Sequence, residues 1–421
     1  MAGGLMQLVA YGAQDVYLTG NPEVTFFQAK YKRHTNFAME NIEQTVNGTA
    51  ANSGRVSVTV ARNGDLVGDM YIELESATSN TSTSNVTADN CWVAERAINN
   101  VELSIGGQRI DKHYQKWWRM YSELYLDESK KLNWGKMTTG KNGKTVYLPL
   151  IFFFNRNPGL YLPLIALQYH EVRIDIDLAS NFSTFLNTGT FKVWANYVYL
   201  DTEERRRFAQ KGHEYLIEQV QHTGVDTVTE GQAKQVRLSY NHPVKELVWC
   251  FANVATNKNS LWNFSNVSAD ADVVLQSEPS PTLSNCYVPL SSLGAPLLSV
   301  GAGANTGAAY TEDSNGPLST FKLILNGQDR FKEQKGKYFN QVQAYNHHSG
   351  CPMPGIYSYS FALKPEEHQP TGTCNFSRID NAQVQVTQHP SSGGATNMHM
   401  FATNYNVLRI QSGMGGLAFS N

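Results

Sequence analysis

Paired carboxylates are the first residues in this chain whose type and spacing could do chemistry. Asp175 and Asp177 fall on one face of an alternating segment, and so do Glu73 and Glu75. Two such groups can act as acid and base in glycoside cleavage, although a solvated sheet face presents the same pattern. His347-His348-x-x-Cys351 offers imidazole and thiol ligands, but no second cluster completes a zinc tetrad. His170-Glu171 and His213-Glu214 begin the metalloprotease pattern, lack its second histidine, and read as strand-edge residues. Adjacent Trp117 and Trp118 could form a sugar platform. Neighbours on a helix point about 100° apart, so one is expected in the core and the other at an interface. Arg205-Arg206-Arg207 follows Glu203-Glu204 and reads as a locally neutralised helix rather than a nucleic-acid site.

The familiar enzyme signatures are absent. There is no phosphate-binding glycine-lysine loop and no nucleophile elbow, and Gly301, Gly303 and Gly307 miss the dinucleotide spacing. No catalytic residue, metal or cofactor is therefore assigned. Asn-x-Ser/Thr triplets occur at Asn47, Asn80, Asn85, Asn181, Asn263, Asn266 and Asn375. Asn80, Asn85, Asn263 and Asn266 lie in two polar stretches expected outermost, and these four are the candidate glycosylation positions. A chain rich in Asn, Ser and Thr also contains such triplets by chance. Asn375 is expected to be buried or paired.

Strands must position these residues. Arg55-Val-Ser-Val-Thr-Val-Ala61, His170 to Leu178 and Ala382 to Thr387 alternate with period two, the pattern of antiparallel sandwiches. Helical periodicity is confined to Tyr114–Leu126, a shorter Tyr338–Tyr345, and a charged linker helix at Asp201–Phe208. At 421 residues the chain can bury two cores. A formal net charge of −2 gives no footprint for nucleic acid. The longest apolar runs are too short to span a bilayer, and the N-terminus does not read as a signal peptide. Five scattered cysteines read as reduced, mostly buried thiols.

The strand pattern is stated twice. Leu103-Ser-Ile-Gly-Gly107-Gln108 returns as Leu323-Ile-Leu-Asn-Gly327-Gln328, each running into an aromatic and basic stretch. The strand–turn–strand at Arg55–Glu75 is echoed at Gln235–Phe251. Val172-Arg-Ile-Asp175 is echoed by Ser377-Arg-Ile-Asp380, and Trp194-Ala-Asn-Tyr197 by Phe401-Ala-Thr-Asn-Tyr405. Collinear matches predict two copies of one domain. Asn63 and Asn241 lie 178 positions apart and Gly107 and Gly327 lie 220 apart, so the second copy has gained 42 residues between them. These fall in Asn253–Thr320, and the matching polar stretch of the first copy is Ser76–Asp89. The apolar residues of the longer stretch predict a small packed tower.

Blocks along the whole chain resemble the major capsid proteins of the nucleocytoplasmic large DNA viruses, the algal-virus branch above all. They are Ala10-Tyr-Gly-Ala-Gln-Asp-Val-Tyr-Leu-Thr-Gly20 with Tyr31-Lys-Arg-His-Thr-Asn-Phe37, Leu162-Pro-Leu-Ile-Ala-Leu-Gln-Tyr-His170, Tyr359–Leu363 with Asn375–Asp380, and Asn404–Gly416. The resemblance implies an all-β fold of two tandem eight-stranded antiparallel jelly rolls with short helices and long loops. It also implies homotrimeric, pseudo-hexagonal capsomers in an icosahedral shell over an internal membrane, in contact with minor capsid proteins. The expected division is an arm over 1–25, a first jelly roll over 26–211 and a second over 212–421. The expected place is the virion, after assembly in the host cytoplasm, with no direct contact to nucleic acid. The alternative is a two-domain jelly-roll protein that binds or cleaves glycans.

Overall fold

The computed structural model describes residues 3–77, 92–140, 143–252, 317–352, 355–389 and 397–419. They fall into two compact units, Met1–Asn36 and Phe37–Asn421. The first unit holds two short helices, α1 (Gly3–Val9) and α2 (Val16–Thr19), neither of which buries a residue.

The second unit opens with β1 (Phe37–Gln44), β2 (Val46–Asn47), β3 (Arg55–Thr59) and β4 (Leu66–Glu75). After α3 (Val93–Ala97) come β5 (Ile98–Ile105), β6 (Gln108–Tyr114), α4 (Gln115–Leu124) and α5 (Glu128–Thr138). Then follow β7 (Thr145–Pro149), α6 (Phe153–Arg156), β8 (Leu162–Pro163), β9 (Val172–Leu178), α7 (Phe182–Phe185) and β10 (Lys192–Leu200). These strands form two sheets, ordered β1-β10-β4-β7 and β2-β3-β9-β5-β6.

Helix α8 (Thr202–Gln210) leads to β11 (His213–Thr227), β12 (Ala233–Leu238) and β13 (Pro243–Ala252). β14 (Leu318–Leu325), β15 (Gln328–Asp329) and β16 (Gln334–Lys335) precede a π-helical turn, Tyr338–Val342, that continues into α9 (Gln343–His347). β17 (Ile356–Ser360), β18 (Cys374–Asn375), β19 (Ala382–Gln388), β20 (Asn397–Gln411) and β21 (Met414–Leu417) end the chain. Their sheets are ordered β11-β20-β13-β17 and β12-β19-β14-β15.

The two orders are one order. β1, β10, β4 and β7 correspond to β11, β20, β13 and β17, while β3, β9, β5 and β6 correspond to β12, β19, β14 and β15. Short β8 on β4 has its counterpart in β18 on β13. The fold is a double jelly roll. Even an irregularity is repeated, because the pairing of β10 with β4 slips between Ala195 and Tyr197, and that of β20 with β13 slips at the matching place, between Val244 and Glu246. Both β5–β6 and β14–β15 turn on two residues of positive φ, Gly106-Gly107 at 58° and 82° and Asn326-Gly327 at 49° and 80°. Tight hairpins of this hand need such residues.

Several sequence expectations shift. The strand–turn–strand segments Arg55–Glu75 and Gln235–Phe251 are present, and each crosses from one sheet of its sandwich to the other. The Arg-Ile-Asp echo fails. Residues Phe376–Arg378 form a 3-10 turn, and the true counterpart of β9 is β19, beginning at Ala382. Leu318–Thr320 belongs to β14 rather than to the long loop, whose remainder, 253–316, lies outside the described residues, as does 78–91.

Burial explains why the strands hold their faces. β9 buries alternate residues from Val172 to Leu178, as a half-covered strand should. β13 is instead buried almost continuously. Its Leu247, Trp249 and Phe251 enter the second sandwich's own core, where Trp249 stacks on Phe321 at 4.3 Å. Val248 and Cys250 point the other way, into the core built by the first half.

Candidate functional site

The carboxylate pairs are structural. Ser57 Oγ and Arg173 Nε donate to Asp175 at 2.6 and 2.8 Å. Arg55 spans Asp177 with bonds of 2.6 and 3.0 Å, which holds that carboxyl below its usual range. Glu73 accepts from Trp194 Nε1 at 2.6 Å. Carboxylates tied across strands in this way brace the outer sheet face.

The histidines are braces as well. His170 Nδ1 lies 3.1 Å from the N–H of Gly415, with its ring against Gly106, where a Cβ would sit 2.4 Å away. His213 faces the Phe208 carbonyl at 2.8 Å, and Glu214 pairs with Arg409 at 2.9 Å. His347 faces the Leu363 carbonyl at 3.0 Å, while His348 turns to carboxylates. Among the described residues no group of three His, Cys, Asp or Glu side chains could hold a metal. Of the described cysteines, Cys250 is buried, Cys374 is half-buried and Cys351 is exposed.

Both tryptophans are buried. Trp118 contacts His113 within the first half, while Trp117 lies 5.7 Å from Phe401 of the second, so its interface is between the halves. Arg205 pairs with Asp65 at 3.0 Å and Arg206 with Glu203 at 3.7 Å. Asn47 and Asn181 are exposed. Asn375 is exposed yet paired, accepting from the Ser377 N–H at 3.0 Å. Asn80, Asn85, Asn263 and Asn266 lie outside the described residues.

What the fold does bring together is a polar seam where the first half covers the sheet β11-β20-β13-β17. Glu218 on β11 receives Arg156 of α6 at 2.9 Å and Lys245 of β13 at 2.7 Å. Burial alone would raise the Glu218 carboxyl, but these two cations outweigh it and the pKa is lowered. Next along β13, Glu246 takes hydrogen bonds from the OH of Tyr125, which follows α4, and from His348. His348 also faces Glu366 at 3.3 Å, and its side chain has 0% exposure. Burial would depress this imidazole, but Glu246 and Glu366 prevail and carry it up to about 9. Beside it an open cleft of about 380 Å³ is lined by Tyr121, Tyr125, Arg156, Glu218, Glu366 and His368.

Backbone contacts complete the seam. Gln219 Nε2 donates to the Ile110 carbonyl, and the Val220 N–H donates to Asp111 at 3.0 Å, fastening β11 beside β6. Lys131 Nζ caps the Cys351 carbonyl. Gly350 N–H donates to the Leu124 carbonyl at 3.0 Å, in a space so tight that a Cβ would lie 2.3 Å from Glu123 O. Every acid here already holds a cation or a donor, so the arrangement clamps two bodies rather than activating a nucleophile. None of these pairs is visible in sequence patterns, except through the buried Trp117, whose aromatic stretch marks the seam.

Known proteins resemble the chain from end to end. Residues 25–201 match the family described as major capsid protein N-terminus, and residues 204–416 match the large eukaryotic DNA virus major capsid protein family. The chain is 44% identical to the major capsid protein of Paramecium bursaria Chlorella virus 1 and 41% identical to that of Phaeocystis pouchetii virus, with 100% of both partners covered in each comparison. Among solved structures it superposes on a chain of a quasi-atomic model of the PBCV-1 virus capsid with a TM-score of 0.77 and 39% identity, over 94% of this chain and 100% of that one. The Faustovirus major capsid protein shares the fold at a TM-score of 0.69 and 13% identity, over 97% and 96% of the two chains. A doubled strand order, a clamped seam and end-to-end similarity agree: the chain belongs to the major capsid proteins of large eukaryotic DNA viruses and is a structural capsid subunit.

Proposed function

We propose that three copies of this chain close about a threefold axis into a pseudo-hexagonal capsomer, and that such capsomers tile an icosahedral shell. The observation that carries this reading is the repeated strand order. Two like sandwiches per chain let three chains present six like walls, which suits sixfold-coordinated positions while the oligomer keeps a closed cyclic symmetry. On this reading the chain divides into an arm over 1–25 and jelly rolls over 26–211 and 212–421, in keeping with sheets drawn from 37–200 and 213–417.

The role is structural rather than catalytic, and the protein resides in the virion after assembly in the host cytoplasm. The arm faces inward, toward minor capsid proteins and an internal membrane. The stretches 78–89 and 253–316, which lie outside the described residues, form the outer crown, with Asn80, Asn85, Asn263 and Asn266 as its glycan positions. Direct nucleic-acid binding is not part of the reading, in keeping with the formal charge of −2. Light scattering on the purified protein tests the proposal. A particle of about three times the 46.9 kDa chain mass, six-lobed in electron micrographs, is expected. A stable monomer under assembly conditions overturns it.

A further inference from the structure

The two halves meet through unlike surfaces. Strand β6 ends the order of its sheet in the first half, and β11 ends the order of its sheet in the second. The two edges lie side by side, fastened where Gln219 and Val220 reach Ile110 and Asp111. β1, the counterpart of β11, is instead exposed over Phe37–Asn41. Beside the fastening the edges part around an open cleft of about 500 Å³, the size that small organic ligands occupy. Arg109, Lys112 and Tyr114 line it from β6, and His222, Ser239 and Asn241 line it from the second half.

A bulge sets the cationic wall. Lys112 and Tyr114 lie opposite Glu102 and Asn100 of β5, on the outer face of that sheet. Arg109, three residues before Lys112, would take the opposite face of a regular strand. The register slips between Leu103 and Ser104, leaving Ile110 unmatched, so Arg109 lies opposite Ser104 and shares the face of Lys112. Bulges re-aim side chains in this way, often beside binding sites. Lys112 Nζ lies 5.5 Å from the centre of the Tyr114 ring. Burial raises the Tyr114 phenol and Arg109 opposes that shift, so both cations act at one end of the cleft. Among the described residues Arg109 has no carboxylate within ion-pair distance, and Lys112 has Glu102 alone, at 3.9 Å. Asp111, the acid in the wall, is buried and already accepts the N–H groups of Lys112 and Val220 at 2.8 and 3.0 Å. The second hairpin does not repeat this charge. Asp329 stands where Arg109 does, after the same Gly-Gln pair, and binds Lys322 at 3.1 Å. Across the cleft, His222 Nδ1 faces the Met400 carbonyl at 2.9 Å, which leaves Nε2 of the neutral ring as an acceptor.

We propose that this cleft binds a phosphate ester on a hydroxylated carrier, such as a sugar phosphate. Arg109 and Lys112 take the phosphate oxygens, and the guanidinium fork can hold two of them at once. A phosphate monoester carries about two negative charges at neutral pH, which matches the two cations better than a singly charged sulfate ester or carboxylate does. His222, Ser239 and Asn241 take the carrier's hydroxyls from the other wall. The phosphate is thus held by the first half and the carrier by the second, so the ligand joins the two halves and stabilises the native chain by mass action. The site lies within one chain and stands independently of the three-chain reading.

Isothermal titration calorimetry of the full chain at fixed ionic strength tests this. The probes are ribose esterified with phosphate at its primary hydroxyl, inorganic phosphate, and ribose itself. The ester is expected to bind saturably, with a Kd of about 1 mM or tighter, and to raise the melting midpoint. Inorganic phosphate should bind about tenfold more weakly, and ribose should give no signal. Arg109→Glu should weaken the ester by about tenfold or more, whereas Asn241→Ala should weaken the ester and leave inorganic phosphate unchanged. Arg206→Ala removes an exposed cation of α8 outside the cleft and should change neither affinity. Arg109 and Asn241 are exposed, so circular dichroism and melting without ligand should match the wild type for each variant. Absence of saturable binding by the ester overturns the proposal. So does binding that survives Arg109→Glu, or that falls equally with Arg206→Ala, since the effect would then be general charge screening. Inorganic phosphate binding as tightly as the ester would overturn the hydroxyl contacts and with them the assigned ligand class.

Discussion

His348 holds its proton where no water reaches, between Glu246 and Glu366, and that makes the seam responsive to pH. Its folded pKa of about 9 lies above the ordinary 6.5. The native state therefore binds a proton that the unfolded state has lost over that interval, and stability falls as pH rises. The contribution is complete below about pH 6.5 and disappears through pH 9. Thermal melting should show a declining midpoint over that window, and His348→Gln should flatten the decline. At pH 6.5 the same change should cost about 3 kcal/mol in urea unfolding, because it leaves the buried Glu246 and the half-buried Glu366 short of a cation. Little of this was legible beforehand. The sequence offers His348 as a possible metal ligand beside Cys351, whereas its partners are Glu246 on β13 and Glu366 in the loop after β17. The seam's pairs join positions as far apart as Arg156 and Glu218, 62 residues, or Glu128 and Cys351, 223 residues. No local pattern encodes such distances.

Turns announce themselves and registers do not. Gly106-Gly107 and Asn326-Gly327 were readable because a two-residue hairpin places its demand on adjacent residues. Trp194 and Phe401 were matched correctly, and the structure puts them at equivalent register. The Arg-Ile-Asp echo misled because β pairing is chosen by distant partners, so three similar residues can recur in a turn as easily as in a strand. The α4 helix was seen from its aromatic spacing, but the feature that lets residues 348–351 approach it was not. Gly350 sits against three carbonyls, those of Glu123, Leu126 and Leu124, with no room for a Cβ. Gly350→Ala should cost more than about 2 kcal/mol, because backbone rather than a flexible side chain would have to move. Chemical denaturation checks this. A Gly107→Ala control, at a turn with open space around it, should lose less.

At the scale of the molecule, the halves are two sandwiches by strand order but share apolar packing. One core runs from Val56 and Trp118 through Val248 and Phe401 to Ile410. Residues Phe37–Asn421 should accordingly unfold in a single calorimetric transition, and residues 212–421 expressed alone should be insoluble with Phe401, Leu408 and Ile410 uncovered. Two separated transitions would show that the seam is weaker than its burial implies. The doubling was legible because strand order and turns recur. The unequal covering of the copies was not, because it depends on which surface meets which. Helix α8 supplies a last consequence. By joining unlike walls in one polypeptide, it fixes their supply at one to one whatever the rate of translation. For the ring proposed above, separately encoded walls would stall assembly whenever one ran short, or close it wrongly with the commoner in excess. Here the ribosome does the counting.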